Sequence, residues 1–352
     1  MSGLKVAVTG AAGLVGSHLI EYLGERGYQL TAIVRSSKKE GEVLEVFRRF
    51  NVNVIEADVN DCEKLKDAFV GQDIVVHTAA IVDPYGSRDL IFKTNVGGTE
   101  NALLQAMQAS VQQFVFVSSL SVITGRGDQF DTAEDAPYQP TGEAYADSKI
   151  KAEQAVLSSI GKSSMKITVV RPGFIYGNRE KTWMPRLIQS IKTGKAMLID
   201  GGTKETNVVY VDNLSKAIES TFQNAKANGQ VYNLTDGPAI SKKMLFDSLS
   251  DGLNLPRVEK RVPGFLAKGF CELVSSIAPM LSPEKQVGLA RYSRAGFRLA
   301  GQNQGFSIKK AERDLGYGER LSFQVGMAAT LEKLREKLER KPSEMEKAVA
   351  RN

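Results

Sequence analysis

Leu4-Lys-Val-Ala-Val-Thr-Gly-Ala-Ala-Gly-Leu-Val-Gly16 decides the fold of this chain. The run from Leu4 to Thr9 is short and apolar, as suits a strand buried on both faces of a parallel sheet. Gly10, Gly13 and Gly16 then turn the chain into a segment whose apolar residues recur at helical spacing. Glycine allows a tight turn and close approach to a pyrophosphate, and the exposed N–H groups of the helix start, from Leu14 and Val15 onward, favour the anion. The spacing is G-x-x-G-x-x-G, not G-x-G-x-x-G. His18, on the same helix, is expected to pack.

Outward from this turn, strands and helices alternate. Candidate strands span 4–9, 29–34, 52–56, 74–77, 113–118 and 167–171, with helical patterns between them, including 95–109 and 145–159. Such alternation implies an α/β protein with a parallel sheet covered on both faces and ligands at the carboxyl ends of the strands. After Arg171-Pro172 the elements shorten.

Tyr145 and Lys149 lie four apart, on one face of a helix. Free tyrosine titrates at about 10, and lowering that to about 7 takes roughly 4 kcal/mol of differential stabilisation. A neighbouring ammonium favours the phenolate, so the pair suits tyrosine acid/base chemistry on an alcohol or ketone. Ser118, Ser119 and Ser121 are candidate hydrogen-bond donors to the substrate oxygen. Anchoring on the strand Phe114–Val117 selects Ser119; anchoring on Gly125 would put Leu120 there. Strand register slips less freely than a loop, so Ser119 is preferred.

Gly10, Gly13 and Gly16 together with Tyr145 and Lys149 resemble the extended short-chain dehydrogenase/reductase superfamily. Asp58-Val59 resembles its adenine-contacting pair, and Val76-His-Thr78-Ala79-Ala80 its segment beneath the cofactor. Asn95-Val-Gly-Gly-Thr99, Phe116-Val-Ser118-Ser119, Arg171-Pro172-Gly173-Phe174-Ile-Tyr-Gly177 and Val209-Tyr-Val-Asp-Asn213 match further motifs. Within the superfamily the chain is most similar to 3β-hydroxysteroid dehydrogenases and sterol 4-carboxylate dehydrogenases. The resemblance implies a Rossmann-type doubly wound sheet with a smaller mixed α/β substrate-binding region. It implies cofactor contacts from Asn95, Ser118, Pro172, Gly173 and Phe174 as well, Lys149 on the nicotinamide ribose, and a homodimer. It also divides the chain: residues 1–172 plus about 207–224 hold the cofactor, 173–206 plus 225–340 the substrate, and 341–352 form a mobile tail.

The second strand ends Ala32-Ile-Val-Arg35-Ser-Ser-Lys-Lys39, where NAD sites offer a carboxylate to the ribose 2′-OH. A guanidinium there pairs with a 2′-phosphate. Arg35, helped by Ser36, Lys38 and Lys39, therefore points to NADP(H), with NAD(H) as the alternative.

The net charge of +6 is interspersed, without the basic aromatic stripe of a nucleic-acid binder. Cys62 and Cys271 are spaced for neither a zinc site nor a redox pair, and with two histidines no metal site is expected. Free thiols, no secretory h-region and no membrane-length run place the expectation in the cytoplasm. Residues 263–281 are apolar, interrupted by Lys268 and Glu272, and flanked by arginines and lysines. They read as a core helix, or as a lid that also touches a membrane interface. As a lid, Phe265–Phe270, Leu273 and Val274 would roof a hydrophobic pocket, with Phe174, Ile175, Trp183 and Met184 opposite. The expected activity is alcohol–ketone interconversion on a sterol-like or long-chain substrate. The rivals are a nucleotide-sugar epimerase or dehydratase and a non-catalytic cofactor sensor.

Overall fold

Thirteen strands order the molecule in the computed structural model, which describes residues 3–36, 41–83, 86–125, 127–237, 240–280, 289 and 292–340. The segment 341–352 and Lys38 and Lys39 lie outside the described residues. In chain order the strands are β1 (Lys5–Thr9), β2 (Gln29–Val34), β3 (Asn53–Glu56), β4 (Ile74–His77), β5 (Gln113–Val117), β6 (Gln129–Thr132), β7 (Lys166–Pro172), β8 (Phe174–Tyr176), β9 (Leu198–Ile199), β10 (Val208–Tyr210), β11 (Gln230–Leu234), β12 (Arg261–Val262) and β13 (Gln304–Phe306).

Seven of them form one parallel sheet in the order β11-β7-β5-β4-β1-β2-β3, the rest pairing in twos. The order reverses beside β1: β2 and β3 lie on one side, β4 and β5 on the other. Ligands of open α/β sheets bind at such a reversal, outside the carboxyl ends of the strands. Thr9, the last residue of β1, pairs with Ile33 on one side and His77 on the other.

The period of two along each strand builds two cores. Val6 and Val8 face one side with Leu19, Ile20 and Leu23 of helix Leu14–Gly24 and Leu214 of helix Val211–Glu219. Ala7 and Val75 face the other with Leu65 and Phe69 of helix Cys62–Phe69, Leu103 of helix Gly98–Gln108 and Val156 of helix Ala144–Leu157. His18 packs as expected, buried, its Nε2 2.7 Å from the Asn178 carbonyl. A third core joins Tyr176, Ile188, Val208, Leu249, Phe323 and Met327.

Two features, one boundary and one helix, differ from the sequence reading. The cofactor half does not end its return at 224, because β11 pairs with β7 from Gln230–Thr168 to Leu234–Pro172 and buries Tyr232 and Leu234 completely. Ile308, Ala311, Leu315 and Tyr317 enter the same core. A five-residue run with one glutamine and one asparagine carries little strand signal of its own; its partner strand supplies the pairing. The second difference concerns helix Gly264–Ile277, which buries only Cys271 and is therefore no core helix.

Candidate active site

The turn after β1 is built for a close-lying anion. Gly10 has φ +65°, and a Cβ there would lie 2.7 Å from the Ala79 Cα. A Cβ on Gly16 would lie 2.6 Å from the Gly10 carbonyl oxygen, which accepts the Gly13 N–H at 2.9 Å. Gly13 caps helix Leu14–Gly24 without a side-chain hydrogen bond, and no acidic residue occupies the first turn of Leu14, Val15 and Gly16. The first N–H groups of a helix have no intrahelical acceptor and carry its positive end. A nucleotide pyrophosphate fits this cradle, and larger side chains do not.

The other expected cofactor residues ring the same strand ends. Thr78 donates its hydroxyl to the Thr9 carbonyl at 2.7 Å, and with Ala79 and Ala80 it follows β4, all three half-buried. Asp58 and Val59 follow β3: Asp58 accepts from the Asn60 backbone and side chain, while buried Val59 packs under Gly98, where a Cβ would lie 2.4 Å from Cγ2. Arg35 follows β2, exposed and without an acidic partner among the described residues. It stands close to the glycine turn, because the Ala11 N–H donates to the Ile33 carbonyl. Pro172 ends β7, and a Cβ on Gly173 would lie 1.7 Å from the Asn207 carbonyl oxygen, so only glycine fits. Half-buried Phe174 meets Trp183 edge to face at 6.1 Å.

Ser119 follows β5 and Tyr145 lies in the first turn of helix Ala144–Leu157, where the Ser119 hydroxyl lies beside the phenol. Burial pushes the Tyr145 hydroxyl above its ordinary value, and the Ser119 hydroxyl beside it acts in the opposite direction. One turn on, Lys149 is buried and donates from Nζ to the Val117 carbonyl at 2.7 Å, 4.6 Å from the Phe116 ring centre. Burial brings its ammonium down to about 8, opposed by Glu153. The expected lowering of Tyr145 by Lys149 is thus absent: burial dominates the phenol, and the ammonium is turned to a backbone carbonyl. Beneath them His77 is brought down to about 3, by burial first and Lys149 second. It is a neutral ring between the hydroxyls of Thr9 at 2.8 Å and Thr99 at 3.1 Å.

Two expected cofactor residues are turned elsewhere. Consecutive residues of extended chain face opposite sides. With Ser119 toward Tyr145, buried Ser118 donates instead to Glu153 Oε2 at 2.5 Å. Asn95 sits in a π-helical turn, Lys93–Gly97, and its amide is fully engaged. Oδ1 accepts the Ile81 N–H at 2.7 Å, while Nδ2 donates to the Ile81 carbonyl and to Ser148 Oγ, both at 3.0 Å. Asn95 thereby ties the loop after β4 to the Tyr145 helix.

The sequence reading missed what stands behind the site. Glu153 is four residues beyond Lys149, completely buried, and held by Arg171 Nε at 3.0 and 3.2 Å, with the Tyr138 hydroxyl at 3.0 Å. The signal was present as Tyr145, Lys149 and Glu153 at i, i+4 and i+8, one stripe of the helix. Among the described residues no cluster of histidine, cysteine or carboxylate could hold a metal.

The profile of the 3-beta hydroxysteroid dehydrogenase/isomerase family matches residues 7–261. A 2-alkyl-3-oxoalkanoate reductase of Stenotrophomonas maltophilia is 28% identical, over 92% of this chain and 97% of its own length. A 3 beta-hydroxysteroid dehydrogenase/Delta 5-->4-isomerase of Mycobacterium tuberculosis is 30% identical, over 93% and 89%. A ketoreductase of Stigmatella aurantiaca acting on a farnesyl dihydroquinoline oxide is 29% identical, over 93% and 95%. The fold is that of UDP-glucose 4-epimerase of Thermotoga maritima, with a TM-score of 0.74 at 22% identity over 95% of this chain and all of that one. It is likewise that of the dTDP-glucose 4,6-dehydratase of Streptomyces venezuelae, solved with NAD, with a TM-score of 0.74 at 21% identity over 96% and 98%. The chain belongs to the 3-beta hydroxysteroid dehydrogenase/isomerase family and is an NAD(P)-dependent oxidoreductase of the extended short-chain dehydrogenase/reductase type.

Proposed function

We propose that this enzyme reduces a ketone on a largely apolar substrate, a 3-ketosteroid or a long-chain 3-oxo compound, with NADPH. The observation that carries the reading is the placement of Ser119 beside Tyr145 at the carboxyl end of β5, one helical turn from Lys149, in the same sheet whose β1 turn forms the glycine cradle. A reduced nicotinamide nucleotide, when bound, supplies a hydride to the carbonyl carbon. Ser119 donates a hydrogen bond to the carbonyl oxygen and steadies the charge that develops there. Tyr145, kept protonated by its burial, gives the oxygen its proton. Lys149, with its charge retained below about 8, holds the nicotinamide ribose. The named relatives act on alkyl, sterol or farnesyl compounds, which supports an apolar substrate here.

Arg35 favours NADP(H) over NAD(H), since a guanidinium rather than a carboxylate immediately follows β2, where an NAD site offers an acid to the ribose 2′-OH. Steady-state assays with NADPH and NADH on a 3-ketosteroid and a long-chain 3-oxo compound test both claims. We expect a higher kcat/KM with NADPH, lost in Arg35→Ala. Equal kcat/KM for both cofactors removes the Arg35 assignment. Inactivity on every apolar carbonyl, together with epimerisation of a UDP-sugar without added cofactor, removes the substrate assignment.

A further inference from the structure

Helix Gly264–Ile277 carries an apolar face that the described structure covers only at Phe270, whose ring meets Tyr292 edge to face at 5.6 Å. Leu266, Phe270, Leu273 and Ile277, at i, i+4, i+7 and i+11, make one stripe, and each is between 44% and 58% exposed. Phe265 and Met280 extend it, at 76% and 84%. The opposite side, around Cys271 and Ser275, packs on helix Arg294–Gly301, where the Arg294 N–H donates to Ser275 Oγ. The expected roof over the substrate is therefore turned outward.

Cations collect at one end of the stripe. β12 pairs with β9, Arg261 opposite Leu198, and Lys260 donates to the Gly194 carbonyl at 2.8 Å. This brings Lys192, Lys195, Lys260 and Arg261 to the start of the helix, beside exposed Met197. None of the four has an acidic partner among the described residues; the nearby Asp200 carboxylate is taken by the Gly264 N–H at 2.7 Å. The hairpin also touches the active-site helix, because Arg298 pairs with Glu143, two residues before Tyr145.

We propose that this face docks on an anionic lipid surface, its stripe in the headgroup–acyl boundary and its cations against the lipid charge. An apolar helical face with basic residues beside it binds a bilayer interface in this way. A second copy of the chain fits less well: one helix of this length offers a strip of about 21 by 10 Å, far below the ~800 Å² per partner of a stable protein interface.

The test is co-sedimentation of the full chain with phosphatidylcholine–phosphatidylserine vesicles and with phosphatidylcholine alone. We expect binding to the anionic vesicles that falls with salt and is weaker on the neutral ones. Leu266→Glu with Leu273→Glu should reduce it by at least roughly tenfold, given the burial those side chains lose. Lys195→Glu with Arg261→Glu should cost a similar factor on anionic vesicles only. All four positions are exposed, so Tm and cofactor affinity should stay unchanged and report an intact fold. Absence of binding to both vesicles overturns the proposal, as does binding that neither variant weakens. So does a dimer in sedimentation velocity that Leu266→Glu with Leu273→Glu turns to monomer, since the face then belongs to a second copy.

Discussion

The sheet half of the molecule and the Gly264–Ile277 hairpin handle the same kinds of side chain in opposite ways. At the sheet, charges are inside: Lys149, Glu153 and Arg171 are buried, each with a protein partner. At the hairpin, apolar groups are outside, in a row, with cations beside them. An unpaired buried charge costs far more than an exposed leucine, so the first arrangement requires a closed network and the second requires none. The difference separates a site whose geometry must not move from a surface left open to its surroundings.

The largest effect should come from Tyr145→Phe, which removes the proton donor while leaving the glycine cradle intact. A loss in kcat of ~10²–10⁴-fold is expected with nucleotide affinity unchanged. Stopped-flow turnover beside fluorescence titration of NADPH checks it, and a variant retaining more than about a tenth of kcat would break the assignment of the sheet half. Next, Glu153→Gln leaves Arg171 buried without its counter-charge, and should lower stability by about 3–5 kcal/mol in urea unfolding. A change below about 1 kcal/mol would mean that the network behind the site is not closed.

Lys149 sharpens the comparison from the other side. Its pKa is lowered in the folded state, so the unfolded chain holds a proton that the folded chain does not between about 8 and the ordinary 10.5. The penalty is therefore full below about 8 and is relieved as pH rises toward 10.5. Lys149→Met should abolish turnover yet stabilise the protein at pH 7 by about 1–3 kcal/mol, an order-of-magnitude value from the size of the shift. Lys242, also brought down to about 8 by burial, contributes with the same sign, so the measurement is the difference between the unfolding pH profiles of wild type and variant. The smallest effect belongs to the hairpin: Leu266→Ala and Leu273→Ala should each shift stability by less than about 0.5 kcal/mol. A loss of about 2 kcal/mol or more in either would show the stripe to be packed, and the contrast between the two regions would fall.

Much of the site could be read from local spacing. The glycine turn, the six strands of the first half and the Tyr145–Lys149 pair all rest on relations within a few residues: steric room at a turn, a period of two, a period of 3.6. These hold whatever surrounds them, and the structure places those strands and that helix within a residue or two of where they are expected. The stripe from Tyr145 to Glu153 was equally local, but its last member had no visible use until Arg171 came from β7 to meet it.

What tertiary structure alone decided was orientation and partnership. Ser118 and Ser119 are chemically the same; strand direction turns Ser119 toward Tyr145 and Ser118 to the buried Glu153. Asn95 reads as a cofactor residue, and only the fold shows that the loop at Ile81 binds its amide. Gln230–Leu234 becomes a sheet strand because β7 offers it an edge, and Gly264–Ile277 stays outside because no strand or helix of the core reaches its apolar face. Sequence periodicity states that a helix has an apolar side. Which surface meets that side depends on contacts far apart along the chain, and those exist only once the fold has formed.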